Sequence, residues 1–377
     1  MIKKIEEKDI SVSEKYNSVK DDATYKRLSS QHLPNKKDVF LGDSNDYTKR
    51  HEFNDYVDSA YSVKPDMETA TALTKPNSFN INAYMPTIDY VNHTVTANGG
   101  ITFGNGSTKL DGFHVTSSKN DQYLVADGKN KWLSKGLERY DWTRVAERDG
   151  SYAVIIGNAN QRHGDMDVGR NNKGCTLVVD GDLNVNDTLK IQKNSVVIVT
   201  GNLTCGKLFM KDGARLYVKG KITANDMSYD GDSNQKIYCG GDAIIPHNLD
   251  SSREFKIGGN LEAHELTLTY TNSYSNYYFG GSVKCTKFNA DNNDTKLIFD
   301  SFECSGTTTL NNRTSLTVNG NAKTGTIYMY NDSVISVCGD MSSTNEQSLF
   351  QSSKIIVNGV ASLGTLKLYG DSKLYAT

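Results

Sequence analysis

Three tyrosines, Tyr270, Tyr274 and Tyr278, stand four residues apart in a polar stretch and have side chains suited to recognition chemistry. A tyrosine ring offers an apolar face on which a sugar ring can stack, and its hydroxyl group can form a hydrogen bond at the edge. These three residues are therefore our candidate surface-binding site for a carbohydrate.

Two pairs of aspartates, Asp230 with Asp232 and Asp291 with Asp294, have the carboxylate chemistry that glycoside hydrolysis requires. Both pairs fall in predicted turns, however, where aspartate is common for conformational reasons. The short repeats of this chain also leave few residues from which a substrate cleft could be built. We therefore predict that the protein is not an enzyme, and we name no catalytic residue.

The segment His163-Gly-Asp165-Met-Asp167 combines an imidazole with two carboxylates, a set that can hold a divalent cation. A calcium loop normally supplies more oxygen ligands than this segment offers. We interpret it as a solvated loop next to the first repeat, so no metal and no cofactor is predicted.

The elements that would position such groups follow from a repeat that begins near residue 175. Its unit reads apolar–x–apolar–x–Gly–polar–apolar, and successive units are 18 to 22 residues apart. Self-similarity at a short period is typical of a solenoid, in which each repeat forms one coil. The positions that mark the unit are Gly181, Gly201, Gly220, Gly241, Gly259, Gly281, Ser301, Gly320, Gly339 and Gly359.

The spacing within the unit indicates the type of solenoid. Apolar residues recur at every second position around the mark, and many are β-branched or aromatic, which is typical of strands. The glycine would provide a positive φ or allow the next coil to approach closely. The predicted fold class is all-β, with a parallel β-helix of about ten coils over residues 171–377. We expect one interior row to contain Val179, Val199, Val218 and Val318.

One unit departs from the pattern at Asp300-Ser301-Phe302-Glu303, where the glycine is missing. In the regular register Glu303 would point into the core. A slip of one residue would instead bury Phe302 and turn Glu303 outward. We expect a local bulge at this coil.

A second row, formed by Val178, Ile198, Tyr217 and Tyr238, should face away from the core, yet its residues are apolar or aromatic. An exposed apolar stripe often marks an interface. Two interpretations stay open: the row reflects the strand preference of these residue types, or it packs laterally against another protomer.

Composition limits the class of protein. The 377 residues carry a formal net charge of −2, so no overall basic field favours nucleic acid as a partner. We find no signal segment and no apolar run of roughly 18 residues, so we expect no membrane insertion.

The six cysteines include no Cys-x-x-Cys pair. Cys205 and Cys285 share a row but lie four coils apart, whereas Cys285 and Cys304 have offsets of opposite parity and should face different sides. We expect reduced, mostly packed cysteines, as in a reducing cytosol.

The first half of the chain has a different composition. Residues 1–92 are rich in charges of both signs and poor in apolar residues, which disfavours an independent compact fold. We interpret 1–92 as an extended attachment region and 93–170 as a small bridging β region.

A short segment of the bridging region resembles a known family. Ser118-Lys-Asn-Asp-Gln-Tyr123-Leu124-Val-Ala126-Asp127-Gly128 is similar to the Ser-x-x-x-Gln-Tyr-Leu-x-Ala-Asp-Gly segment of bacteriophage head- and tail-fibre proteins. In those proteins it lies in the shaft, between a virion-attachment N-terminus and a β-structured tip. The resemblance covers about a dozen residues. It implies a homotrimeric virion fibre, made in the host cytoplasm, whose N-terminus meets capsid or tail proteins.

The repeats also resemble bactofilins, bacterial cytoskeletal proteins whose short-coil β-helices polymerise end to end. This resemblance covers residues 175–377 only, and the long N-terminal portion departs from the short tails of bactofilins. It implies a cytoplasmic, filament-forming scaffold.

These observations predict a structural virion fibre whose β-solenoid contacts the host surface, with a glycan as one candidate receptor. The alternatives are a bactofilin-like scaffold and, third, a polysaccharide-degrading β-helix enzyme.

Overall fold

A computed structural model describes residues 68–75, 79–117, 122–126, 144–145, 150–161, 164–169, 174–231, 234–250, 254–269, 277–291 and 293–376. Side chains are not described for residues 113–149, Asp250 and Thr269. Contacts divide the chain into two units, Met1–Glu68 and Thr69–Thr377, and every strand described here belongs to the second unit. The boundaries expected after residues 92 and 170 both fall inside this second unit.

Almost all regular structure in the described residues is β-strand. The N-terminal part contains a 3-10 helix, Ile81–Tyr84, and the strands β1 (Thr87–Asp89), β2 (Thr94–Thr96), β3 (Lys109–Asp111), β4 (Phe113–Ser117), β5 (Gln122–Ala126), β6 (Arg144–Val145), β7 (Tyr152–Ile156), β8 (Ala159–Gln161) and β9 (Met166–Val168). The repeats contain β10 (Thr176–Asp180), β11 (Leu183–Ile191), β12 (Val196–Val199), β13 (Leu203–Lys211), β14 (Arg215–Val218), β15 (Ile222–Asp230), β16 (Lys236–Cys239), β17 (Ala243–Asp250), β18 (Glu254–Ile257), β19 (Leu261–Thr269), β20 (Tyr277–Phe279), β21 (Val283–Asp291), β22 (Lys296–Phe299), β23 (Phe302–Asn311), β24 (Ser315–Val318), β25 (Ala322–Met329), β26 (Val334–Val337), β27 (Met341–Ser343), β28 (Glu346–Leu349), β29 (Lys354–Val357), β30 (Ala361–Ser362), β31 (Thr365–Leu368) and β32 (Lys373–Ala376).

The repeats stack as a parallel β-helix, which confirms the predicted fold class. Each coil contributes a short strand, a corner, and then a longer strand or two shorter strands before a turn leads to the next coil. The short strands stack in order from β7 through β20, and then from β22 to β32. The longer strands stack from β11 to β25 and continue into β27, β28, β30 and β31. A single hydrophobic cluster fills the space between the stacks.

The expected interior row is present. Val179, Val199 and Val218 pair in register on successive coils, and Val318 occupies the same position further along the stack. Each of the four is fully buried in the central cluster. The spacing by two therefore predicted correctly which residues form the core.

The corner glycines exist because neighbouring coils approach closely. A Cβ atom on Gly201 would lie 2.3 Å from Asp182 Oδ1 and 2.7 Å from the carbonyl carbon of Gly181. The described corner glycines do not adopt positive φ. Of the two reasons considered for glycine, close approach is therefore the one that applies.

The residue after the glycine links coil to coil. Asp182 Oδ1 accepts a hydrogen bond from the Asn202 backbone N–H at 2.7 Å, and Asn202 Oδ1 accepts one from the Lys221 N–H at 2.9 Å. The same contact recurs from Asp242 to Asn260 at 2.7 Å. These side chains satisfy backbone donors at the corner, where the strand ladder is interrupted.

The irregular coil slips as expected. Phe302 is buried and pairs with Val283, while Glu303 points outward beside Lys323. The corner before β23 is one residue shorter than the corners of the other coils. β23 compensates with one extra residue between Cys304 and Thr307, where its register with β21 shifts.

This slip corrects the expectation for two cysteines. Cys285 and Cys304 pair directly in register and both lie in the central core, so they face the same side. The prediction from parity was wrong because the shortened corner shifts Phe302 to Cys304 by one place, before the register changes again in β23. All six cysteines are free.

At its N-terminal end the first stack continues into two antiparallel strands. β5 pairs antiparallel with β7, and β4 pairs antiparallel with β5. The described part of the segment that resembles phage fibres, Gln122–Ala126, is this strand β5. It is therefore joined to the solenoid directly.

Residues 69–75 and 79–111, here called the cover, run along the solenoid against the direction of coil stacking. Asn358 in a late coil exchanges hydrogen bonds with the backbone of Ala70, and Asn319 does the same with Leu73. Lys75 pairs with Asp300. Near the other end, the Gly104 N–H donates to Thr176 Oγ1 at 2.8 Å. The cover thus spans the coils from the C-terminal region to the first repeat.

The cover buries the second row of apolar and aromatic residues, here called the outward row. Val178 and Ile198 are 0% exposed, and Tyr217 and Tyr238 are 3% exposed. They form a second hydrophobic cluster with cover residues that include Ile81, Met85, Val95, Ile101, Phe103 and Leu110. The expectation that Val178, Ile198, Tyr217 and Tyr238 face another protomer is therefore wrong for this fold, because the chain supplies their cover itself.

Candidate functional site

Three stacked aromatic rings lie on the last coils of the solenoid. Tyr330, Phe350 and Tyr369 follow β25, β28 and β31, each as the first residue of the next turn. Their rings stack with centroid separations of 4.9 Å and 4.6 Å and interplanar angles of 4°. Both separations are close to the spacing of about 4.8 Å between neighbouring strands. The stacking of the coils therefore determines the spacing of the rings.

The turn that carries each ring has a repeated local structure. Asn331, Gln351 and Gly370 follow the aromatic residues and adopt left-handed conformations, with φ of 53°, 60° and 65°. Asparagine and glycine tolerate this region better than other residues. Three residues after the first ring, Ser333 Oγ donates to the Tyr330 carbonyl at 2.6 Å. The turn therefore fixes the backbone from which each ring projects.

A row of amides runs beside the rings. Asn331 Nδ2 donates to Asn311 Oδ1 at 2.7 Å, and Gln351 Oε1 accepts from the Asn331 backbone N–H. Rings and amides together line an open groove of about 600 Å³ along Asn311, Tyr330, Asn331, Phe350, Gln351, Tyr369 and Gly370. We call this the aromatic groove.

The aromatic groove presents two kinds of surface to a ligand. The middle ring, Phe350, stacks on a neighbour with each face, so it offers mainly its edge. Tyr369 ends the stack and is 45% exposed, so a further ring could continue the stack on it. The neighbouring amides contribute hydrogen-bonding groups. This arrangement suits binding and contains no evident nucleophile or acid–base pair.

Of the predicted tyrosine shelf, Tyr278 alone lies among the described residues. Tyr278 is half-buried, and its ring centroid lies 5.7 Å from that of Phe79 in the cover. Tyr270 and Tyr274 lie outside the described residues.

The candidate carboxylates are engaged with neighbouring coils. Asp294 pairs with Arg313 at 2.9 Å, and Asp291 accepts a hydrogen bond from Asn312. Asp230 lies 3.9 Å from Lys211, and Asp232 is outside the described residues. Through these contacts, Asp230, Asp291 and Asp294 link neighbouring coils.

The segment interpreted as a solvated loop instead runs into strand β9, which pairs with β11 of the next coil and buries Met166 and Val168. Asp165 accepts hydrogen bonds from Lys190 and from the Thr188 N–H, and the hydrogen bond from Lys190 lowers the pKa of its carboxyl group. Asp167 accepts from Gln192 at 3.0 Å. His163 lies outside the described residues. Within those residues, no group of three or more His, Cys, Asp or Glu is placed to hold a metal.

A polar cluster lies beneath the cover. Glu254 pairs with Lys236 at 2.7 Å and Lys256 at 3.1 Å, and it accepts a hydrogen bond from the Tyr238 hydroxyl. Burial raises the pKa of Glu254, but the hydrogen bonds from Lys236 and Tyr238 outweigh it, so the pKa is lowered overall. The cluster thus holds a paired carboxylate against the aromatic residues of the cover.

The aromatic groove could have been found from the repeat. Tyr330, Phe350 and Tyr369 are 20 and 19 residues apart, the period of the coils. They lie outside the seven-residue unit that defines the repeat, so that unit alone does not reveal them.

In the described parts of the chain, no helix is long and apolar enough to cross a lipid bilayer. Comparisons with protein-family models, with curated proteins and with solved structures found no match to this chain.

Proposed function

We propose that this protein is a structural component of a bacteriophage fibre that binds a host-surface glycan through its β-solenoid. The observation that carries the proposal is the aromatic groove, where ring edges and the open face of Tyr369 lie beside a row of amides. A sugar has apolar C–H faces and a rim of hydroxyl groups, so it requires both surfaces.

The position of the fibre-like segment supports this proposal. Gln122–Ala126 forms β5, which pairs with β7 at the start of the solenoid. A shaft segment joined directly to a β-structured rod is the order that the resemblance implies. Because residues 69–75 and 79–92 belong to the cover, the attachment role falls to residues 1–68.

The scaffold alternative has less support. End-to-end growth of a β-helix needs an open strand edge at both ends. Here the antiparallel hairpin of β4 and β5 occupies the N-terminal edge of the first stack. The hairpin therefore favours a fibre over an open-ended filament.

The glycan proposal is tested by comparing Tyr369→Ala with the wild-type chain on a panel of bacterial envelope polysaccharides. We expect the substitution to weaken binding about three- to tenfold, the equivalent of one lost stacking contact. Tyr328→Ala is the matched control, because Tyr328 lies on the same coil as Tyr330 but does not line the groove. Failure of the wild-type chain to bind any polysaccharide, or equal binding by Tyr369→Ala, would contradict the proposal.

A further inference from the structure

Cys285 and Cys304 lie directly opposite each other on neighbouring coils. They are registered partners in β21 and β23, and they are 4% and 0% exposed. By contrast, the registered neighbours of Cys205, which occupies the same row, are Val185 and Ala224. The row accepts small apolar residues elsewhere, so packing alone does not require two adjacent cysteines.

The two thiols interact. Proximity to Cys285 lowers the pKa of Cys304, whereas proximity to Cys304 raises the pKa of Cys285. In the thiol form, Cys304 Sγ donates hydrogen bonds to the carbonyl oxygens of Thr286 and Thr307, both at 3.4 Å. Because the thiolate is the reactive form of cysteine, Cys304 is the better nucleophile of the pair.

The local backbone suits a covalent link. Neighbouring parallel strands place registered Cα atoms about 4.8 Å apart, within the roughly 4.4–6.8 Å range compatible with a disulfide. The register shift directly after Cys304 interrupts the ladder at Ser305 and Gly306. This interruption lets the backbone adjust as the two Cβ atoms draw together.

We propose that Cys285 and Cys304 form a disulfide between coils when the folded chain meets a peroxide. The Cys304 thiolate attacks one oxygen of hydrogen peroxide, which gives a sulfenic acid and releases hydroxide. The Cys285 sulfur then attacks the Cys304 sulfur, the S–S bond forms, and water leaves. Overall, two thiols are oxidised, and one peroxide is reduced to two waters.

The proposal is tested on the full chain with Cys338→Ser as background, because Cys338 is only partly buried and would react by itself. The folded protein is treated with hydrogen peroxide, then denatured and alkylated, and its mass is measured. We expect two cysteines to escape alkylation together. The chain itself should lose the mass of two hydrogen atoms. Peptide mapping should place the link between residues 285 and 304.

Three further variants distinguish this pair from general oxidation. Added Cys285→Ser or Cys304→Ser should abolish the link, whereas added Cys205→Ser should leave it intact. Oxidation should also raise the urea midpoint of the background and of the Cys205→Ser variant, because a cross-link restricts the unfolded chain. Retention of every thiol, mass gains of oxygen without a link, or a link that forms only in denaturant would overturn the proposal.

Discussion

At the corner of each coil, two adjacent residues have opposite requirements. Gly201 must lack a side chain because Asp182 Oδ1 and the Gly181 backbone occupy that space. The following residue, Asn202, needs a short side chain with an acceptor for the Lys221 N–H. The recurrent glycine followed by aspartate or asparagine is thus a packing and hydrogen-bonding requirement.

Gly201→Ala should destabilise the solenoid by about 1–3 kcal/mol, because the added methyl group overpacks the corner. The measurement is the free energy of unfolding in urea. Gly99→Ala is the matched control, since a Cβ on Gly99 would meet no atom within 4 Å. Equal stability of the two variants would show that the corners tolerate a side chain.

At the scale of elements, the cover completes the first stack of strands. Tyr84 stacks on Tyr217 with a centroid separation of 5.8 Å and packs edge-on against Tyr238 at 4.7 Å. Without these rings the outward row would be an apolar stripe in water, which is energetically unfavourable. The cover and the row therefore depend on each other.

Tyr84→Ala should loosen the cover while leaving the central core folded, because Tyr84 contacts the second hydrophobic cluster. Hydrogen–deuterium exchange should show faster exchange over residues 79–111 and unchanged exchange at the row of Val179 and Val199. Val91→Ala serves as the control, since Val91 is 88% exposed. Unchanged exchange in Tyr84→Ala would indicate that other contacts hold the cover.

The sequence predicted the coils well and the cover poorly, for a physical reason. Val179 and Val199 belong to a local pattern that repeats, so their burial follows from spacing alone. The partners of the cover are remote, as Ala70 and Asn358 are 288 residues apart. An outward apolar row indicates that something must cover it but does not identify the cover.

The same distinction explains the error at the cysteines and why the aromatic groove was not predicted. The parity of Cys304 could not be read from a fixed period, because one corner is a residue shorter. The aromatic groove obeys the period, but its ring stacking depends on turns that precede the recognised unit. The ring contact between Tyr278 and Phe79 of the cover joins residues about 200 positions apart, so it too lies beyond a local pattern.

At the scale of the whole molecule, opposite charges face each other across coils. Lys207 pairs with Asp226 at 3.0 Å, and Glu265 pairs with Lys287 at 2.6 Å. Each exposed pair contributes little to stability. A register shifted by one residue would separate both pairs and place these charges opposite uncharged residues, so the pairs favour the observed stacking.

The antiparallel strands at the N-terminal edge lead to a prediction for assembly. Light scattering of the purified chain over a range of concentrations should give one discrete mass, a trimer if the fibre resemblance holds. Growth of the mass with concentration, without a limit, would instead support the end-to-end scaffold. A variant that lacks a stable β4–β5 hairpin, made by Val115→Pro, should shift the chain towards larger species, because proline removes a strand hydrogen-bond donor.

The direction of the cover has a mechanical consequence. Ala70 is held by Asn358, so tension applied through residue 69 enters the rod at the same coil region as tension applied near the C-terminus. Such a pull loads the contacts at Asn358 and Asn319 one after the other, as in peeling, rather than all of them together. Under load the cover would therefore lift from that end first, while the stacked coils beneath it carry little of the force.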